Sequence, residues 1–340
     1  MYQRSVQVTG GTTFFVTLPK RWATDVGIQA QTKVTLVPTD SGGLLLIPER
    51  ASSGNTCEIA LGEWDFERMQ RELFARYIMG YDVIRVTGSP VGPEKRRMIR
   101  AIAQSLVGLE ILDEAQDRVV LSSVLKTTDF PAHRSLERVY DMTRSMLSDG
   151  VDAFVRCDAL LARDVVERDA DVDRLVLLVE RQFSLKLRDR LLEDEGELTK
   201  IQFLYYYAAA KQLERVADHA AKISRAAQAL DGLLPDALGQ QIREAATVSL
   251  AVLQDAVEAF LSRDSDAANA VLTERAQREG LFELEAVRAP ELAPAAARPV
   301  SIALDSCLRI REYAYNIAEG ALDVVVPAAC GDVAGYPKRP

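Results

Sequence analysis

Leu213-Glu214-Arg215-Val216-Ala217-Asp218-His219-Ala220-Ala221-Lys222-Ile223 is the stretch on which the fold turns. Leu213, Val216, Ala220 and Ile223 recur at steps of three and four, the spacing of an apolar helix seam. Glu214 and Asp218 stand four apart and off that seam, so they stack together on another face of the helix, where like charges repel unless a positive group lies between them. The seam continues in both directions and predicts a helix from Leu198 to Leu230. Upstream, Val172, Val176, Val179, Phe183 and Leu187 predict a helix from about Asp164 to Glu193, ended by Glu195-Gly196. That helix holds a second acidic pair at the same spacing, Asp169 and Asp173. Asp169 falls in step with Val165, Val172 and Val176, where an apolar residue belongs. Before it, Leu136, Val139, Thr143, Met146, Gly150 and Ala153 mark a helix from about Ala132. Three such helices make one bundle unit over 132–230.

The pattern then recurs. Ile242–Leu261, Asp266–Val287 and Ser301–Val325 read as three more helices, with Pro290, Pro294 and Pro299 marking a loop between the last two. Phe154-Val155-Arg156-Cys157-Asp158 matches Phe260-Leu261-Ser262-Arg263-Asp264, and Leu213–Ile223 matches Cys307–Ile317. A second three-helix repeat is therefore expected over 237–326. Residues 327–340 read as a disordered tail.

Two acidic pairs on adjacent helices are an oxygen-rich donor set for a hard or borderline cation, with iron, manganese, zinc and magnesium all suited. A lone acidic pair on a helix is more often a solvated face, and Glu137 with Asp141 is read that way. His219 reads as a packed or capping histidine. In the second repeat Glu214 and Asp218 become Leu308 and Glu312, while Asp169 and Asp173 become Arg275 and Glu279. An arginine there repels a cation, so at most one metal site is expected, in the first repeat, held by Asp169, Asp173, Glu214 and Asp218.

The N-terminal fifty residues read as β. Arg4, Val6 and Val8 alternate with Ser5, Gln7 and Thr9, Gly10-Gly11 turns the chain, and Thr13–Leu18 returns. Pro19 opens a short helix over Lys20–Val26 and Gly27 stops it. Lys33–Val37 and Leu44–Ile47 are two further strands around Thr39–Gly43. So short a unit buries too little surface to stand alone, and dimerisation is the expected remedy. Residues 51–65 read as a linker. A small α/β unit follows over 66–130: a helix from Phe66 to Tyr81, a strand over Asp82–Thr87, a helix over Glu94–Val107, and strands over Leu109–Leu112 and Val119–Leu121. Its second helix carries Lys95, Arg96, Arg97 and Arg100, which read as a solvated face rather than as a DNA contact.

The 340 residues carry a net charge of −9 and are 48% hydrophobic, which allows sizeable cores. The global sign is wrong for a nucleic-acid binder, although residues 1–50 are mildly basic. Cys57, Cys157, Cys307 and Cys330 are scattered with no paired spacing, which argues against a zinc ribbon or a disulfide scaffold. With no secretory pattern and no long apolar run, the reading is a cytoplasmic protein without membrane insertion. Nucleophile elbow, P-loop and dinucleotide fingerprints are missing, and neither His133 nor His219 completes the Glu-x-x-His of a carboxylate-bridged metal oxidase. An enzyme is not expected.

The head resembles the AbrB-type, swapped-hairpin DNA-binding domain in Arg4–Gly11, in Val16-Thr17-Leu18-Pro19-Lys20-Arg21-Trp22 and in Leu44–Pro48. That resemblance implies a dimer whose shared sheet grips DNA, with Arg4, Lys20 and Arg21 as the phosphate contacts. Residues 132–326 resemble the PhoU family of phosphate-uptake regulators. Leu213–Ala220 matches that family's Leu-Glu-Arg-Ile-x-Asp-His-Ala helix, and Asp169–Asp173 its acidic pair on the preceding helix. Head and body together look like the archaeal form of that regulator. The fold class implied is α+β, mainly α: an AbrB-like β-domain, a small α/β unit and two tandem three-helix bundles. The function implied is a DNA-binding transcriptional regulator of phosphate uptake and phosphate homeostasis. The alternative is a dimeric signalling adaptor that acts on a phosphate transporter, including phosphate ABC transporter components, or on a kinase, without touching DNA.

Overall fold

A computed structural model describes residues 3–38, 43–48, 55–124, 131–188, 198–230, 232–278 and 294–325. The tail at 327–340, the turn at 39–42 and the Glu195-Gly196 break lie outside the described residues, as do Ser52 to Gly54 of the linker and the end of the helix expected to reach Val287. The chain divides into an N-terminal unit and a larger unit over Asn55–Val326.

In the head, β1 (Gln7–Thr9) pairs antiparallel with β2 (Thr13–Phe15), Val8 opposite Phe14. Gly10 and Gly11 close this hairpin with φ of +63° and +79°, a conformation only glycine adopts freely. Helix α1 (Lys20–Asp25) follows, its first turn closed by Ala23 N–H donating to the Pro19 carbonyl at 2.9 Å. A second hairpin joins β3 (Val34–Pro38) to β4 (Leu44–Pro48), Leu36 opposite Leu46. No described residue of the head is buried, and Phe14 is 73% exposed. Val6, Val8, Val16, Leu36 and Leu44 are also exposed, so the described residues of these two hairpins form no core of their own.

The α/β unit starts earlier than the sequence reading places it. β5 (Thr56–Ala60) lies in the stretch read as a linker and pairs in parallel with β6 (Val83–Thr87). Five residues with only Cys57 and Ile59 turned inward give little periodic signal; the hydrogen bonds that make them a strand come from β6. Between them runs α2 (Phe66–Ile78), capped by Asp65, whose carboxylate accepts from Arg68 N–H at 2.7 Å. After β6 come α3 (Pro93–Gln104) and the hairpin of β7 (Leu109–Glu114) with β8 (Arg118–Ser123), giving the strand order β5-β6-β8-β7. A bulge between Ile111 and Asp113 leaves Leu112 exposed. Met69, Leu73, Tyr77, Ile84, Val86, Ile99, Ile102, Leu109 and Leu121 form this unit's core.

Six helices follow: α4 (Ala132–Arg156), α5 (Ala159–Leu187), α6 (Lys200–Ala227), α7 (Asp236–Ser262), α8 (Ser265–Arg278) and α9 (Pro294–Val325). The repeated segment forms the same corner twice. Cys157 and Arg263 adopt left-handed φ of 52° and 55° at the ends of α4 and α7. The aspartate after each caps the next helix: Asp158 accepts from Leu160 and Leu161 N–H at 3.0 Å, and Asp264 accepts from Asp266 and Ala267 N–H at 2.9 and 3.0 Å. This capping starts α5 at Ala159, five residues before the apolar seam predicts. α9 runs through the segment read as a loop. Pro299 sits in its second turn, where it removes one backbone hydrogen bond, and the flanking alanines keep the helix going.

The two repeats share one hydrophobic core rather than forming separate bundles: α6 packs along α9 and α4 against α7. Helix α7 is long and apolar enough to cross a bilayer, contrary to the expectation that no segment is, but Ile242, Ala246, Leu253 and Phe260 are inside this core. The α/β unit docks on α5. Arg181 is buried, donates to the carbonyls of Tyr77 and Tyr81 at 2.6 and 3.0 Å, and lies 4.9 Å from the Tyr77 ring centroid. It thereby ties the C-terminal end of α2 and the turn after it to α5, sharing the Tyr77 carbonyl with the Gly80 N–H at 2.9 Å.

Candidate functional site, an acidic face between two helices

Helix α5 presents Asp169 and Asp173, and α6 presents Glu214 and Asp218. The seams explain the placement. Val165, Val172 and Val176 on α5 and Leu213, Val216 and Ala220 on α6 are buried, which turns the neighbouring acidic positions of both helices toward one another at the edge of the core. The electrostatics record the convergence. Burial, followed by repulsion from Asp169, Glu214 and Asp218, raises the Asp173 carboxyl from its ordinary 3.8 to about 6. Asp169 is also raised, first by burial and then by Asp218, against the lowering effect of Arg225.

Two basic residues that the sequence reading passes over bracket the cluster. Lys211 pairs with Glu214, and Arg225 reaches Asp169 at 3.4 Å. Both lie on α6, Lys211 one turn before Glu214 and Arg225 two turns after Asp218, so their helical spacing was a usable signal. Apart from the Lys211 pair, the buried Oε2 of Glu214 has no hydrogen-bond donor. In donor chemistry the four carboxylates fit a hard cation: all oxygen, mutually repelling and partly desolvated. Among the described residues no three histidines, cysteines or acids are gathered tightly enough to ligate one ion as they stand.

His219 packs rather than pointing into the acidic face. Its ring lies 5.6 Å from that of Tyr313 on α9, and its Nε2 is 3.5 Å from the Tyr313 hydroxyl. Burial lowers its pKa. Glu137 and Asp141 lie on α4, away from the four acids; Asp141 is exposed.

At the corresponding place in the second repeat Arg275 donates to Glu312 at 2.9 Å and lies 3.8 Å from Glu319. Glu279 falls outside the described residues. In the head, Arg4, Lys20 and Arg21 are all exposed, and Arg4 donates to the Gln3 carbonyl at 3.0 Å. The basic helix α3 is largely committed within its own unit: Lys95 donates to the Gly62 carbonyl, Arg96 to that of Ala115 at 2.8 Å, and Arg100 to the Glu114 carboxylate at 3.0 Å.

Comparison with known proteins bears on the helical body. Residues 136–227, which span α4 to α6, match the PhoU domain family. The chain is 27% identical over 134 residues to the phosphate-specific transport system accessory protein PhoU homolog of Pseudomonas putida, covering 38% of this chain and 49% of that protein. It is 29% identical over 114 residues to the protein of the same description from Aquifex aeolicus, covering 33% and 50%. The chain thus spans about half the length of the curated relatives it matches. Among solved structures, PhoU from Pseudomonas aeruginosa aligns with a TM-score of 0.46 at 23% identity, covering 57% of this chain and 95% of that one. The phosphate transport system regulatory protein PhoU from Streptococcus pneumoniae aligns with a TM-score of 0.47 at 17% identity, covering 57% and 92%.

Proposed function

We propose that this chain is a PhoU-type regulator of phosphate transport that acts as a dimeric adaptor on a phosphate transporter or its signalling kinase. The observation that carries this reading is the facing of Asp169 and Asp173 with Glu214 and Asp218 inside the region matched to the PhoU domain. On this reading Asp169, Asp173, Glu214 and Asp218 hold a hard cation of the iron, manganese, zinc or magnesium class. The ion adds positive charge to that of Lys211 and Arg225, which pair with only two of the four acids, and makes the α5–α6 face responsive to occupancy. The α/β unit, docked on the same α5 through Arg181, is the element to which such a change is passed.

The test is phosphate uptake in the host organism. Deleting the chain should raise uptake of labelled phosphate under phosphate-replete conditions. The intact chain should restore control, and the variant carrying Asp169→Asn, Asp173→Asn, Glu214→Gln and Asp218→Asn should not. Uptake indifferent to deletion would reject the reading; control restored by the variant would reject the role of the acids. Metal analysis of both purified proteins checks the ion directly.

The exposed Arg4, Lys20 and Arg21 on a head without its own core favour a second reading, in which the head dimerises and holds DNA to regulate transcription of phosphate-uptake genes. Binding by phosphate contacts falls steeply with salt. An electrophoretic shift with the chain's own promoter region should therefore weaken at high salt and disappear when all three are changed to alanine. Retention unaffected by both would leave the adaptor reading alone. Val8→Ser with Phe14→Ser should shift the mass in solution from dimer to monomer if the exposed apolar faces are the dimer contact.

A further inference from the structure

On the side of α5 away from the acidic cluster, a cleft of about 750 Å³ opens between α4, α5 and the segment that follows α3. Asp171, Arg174 and Leu175 line it from α5, and two residues in a helix are separated by about 200°, so Asp171 and Asp169 face opposite ways. The volume lies in the range of small-molecule sites.

Three arginines line the cleft: Arg134 and Arg138, one turn apart on α4, and Arg174 on α5. Arg174 is 3.6 Å from Asp171 and is thereby partly neutralised, while its Nε is buried without a partner. The second observation is Ser135. It lines the cleft, is 4% exposed, and its buried Oγ has no hydrogen-bond partner among the described residues. A hydroxyl withdrawn from water without a partner is destabilising, and a ligand oxygen in the cleft would offset that cost. Arg134 and Ser135 stand in the first turn of α4, whose N-cap, Pro131, has no side-chain acceptor for the free amides. A helix of that length favours an anion at that end. Met142 and Leu175 give the cleft an apolar wall, and Glu137 with Asp141 adds acceptors suited to hydroxyl or amino groups.

We infer that this cleft binds a small organic phosphate: the phosphoryl group on Arg134, Arg138 and the Ser135 hydroxyl, the organic body against Met142 and Leu175. Guanidinium forks match phosphate oxygens two at a time, and Glu137 and Asp141 on α4 with Asp171 on α5 favour a ligand whose organic part also donates hydrogen bonds. The inference is independent of cation binding by the acidic face.

Isothermal titration of the full chain tests it, with adenosine monophosphate and glycerol phosphate as probes and adenosine and inorganic phosphate as controls. At least one phosphomonoester should bind, and both controls should bind at least about tenfold more weakly than that ester. Arg134→Gln with Arg138→Gln should weaken binding about tenfold or more, the loss expected for charge-assisted hydrogen bonds. Ser135→Ala should weaken it more modestly while leaving the melting temperature unchanged or higher, because an unpartnered hydroxyl is removed. Asp169→Asn with Asp173→Asn should bind as the unaltered chain does. No heat with either ester, equal binding by the arginine variant, or inorganic phosphate binding as tightly as the esters would overturn the assignment.

Discussion

Arg275 Nη2 donates to Glu312 Oε2 at 2.9 Å, joining α8 to α9 at the place where α5 and α6 set Asp169 against Asp218. The second repeat therefore carries its counter-charge on its own side chain. Arg275 also lies over the Tyr315 ring at 5.1 Å. The pair is half exposed, so its worth is modest. Arg275→Ala should lower stability by about 1 kcal/mol, read as a shift in the urea midpoint that shrinks at high salt.

The first repeat pairs Lys211 and Arg225 with two of its four acids and stays net acidic, and pH exposes it. Asp173 in the folded chain titrates near 6, above its ordinary 3.8. The folded state therefore holds that proton to higher pH than the unfolded state does. Stability is lost as pH rises through that window and the penalty is full above it. Asp173→Asn should raise the melting temperature near neutral pH, and the gain should vanish as the pH is lowered to about 4. A gain that is constant across this range would show that ionising a buried carboxyl beside three other acids is not the cause.

Divalent cations give the complementary measurement. If the acids are a cation site, manganese or zinc should raise the melting temperature of the unaltered chain by mass action. The variant with all four acids neutralised should not respond, and a chelator should abolish the rise. An equal rise in both proteins would assign the cation to some other place.

Two helix glycines separate packing from propensity. A Cβ on Gly150 would meet Ser224 Oγ at 2.9 Å and the Ala220 carbonyl oxygen at 3.0 Å, because α4 and α6 approach closely there. A Cβ on Gly320 meets nothing nearer than 3.6 Å. Gly320→Ala should stabilise by about 0.5–1 kcal/mol, the ordinary gain in helix propensity. Gly150→Ala should destabilise by about 1 kcal/mol or more despite the same gain. Chemical denaturation of the two variants side by side measures the difference.

Arg181→Met should loosen the α/β unit from α5. The carbonyls of Tyr77 and Tyr81 lose a charged donor, at a cost of about 2–3 kcal/mol. Hydrogen exchange should show faster opening over residues 66–82 while the core of α4, α6, α7 and α9 stays protected.

Local pattern carried much of this architecture. The three-and-four spacing of Leu213, Val216, Ala220 and Ile223 marks α6, because a seam that must be buried constrains every turn. The Phe154–Asp158 and Phe260–Asp264 match shows the repeat, because a left-handed residue followed by a capping aspartate is a local device. β5 was illegible because its partner lies more than twenty residues away, and a short edge strand has little periodicity. Pro294 and Pro299 misled for the reverse reason: they disfavour helix locally, and α9 forms because its later turns are buried against α6 and α7.

For the site, which acids share a helix face was legible from spacing alone, since residues four apart must stack. That the two pairs face one another, that Arg225 reaches across to Asp169 on α5, and that Arg134 and Arg138 share a cleft with Arg174 all depend on which helices lie side by side. Helical periodicity sets the direction of a side chain relative to its own axis. Which axis lies opposite is set by how the apolar seams of all six helices pack into one core.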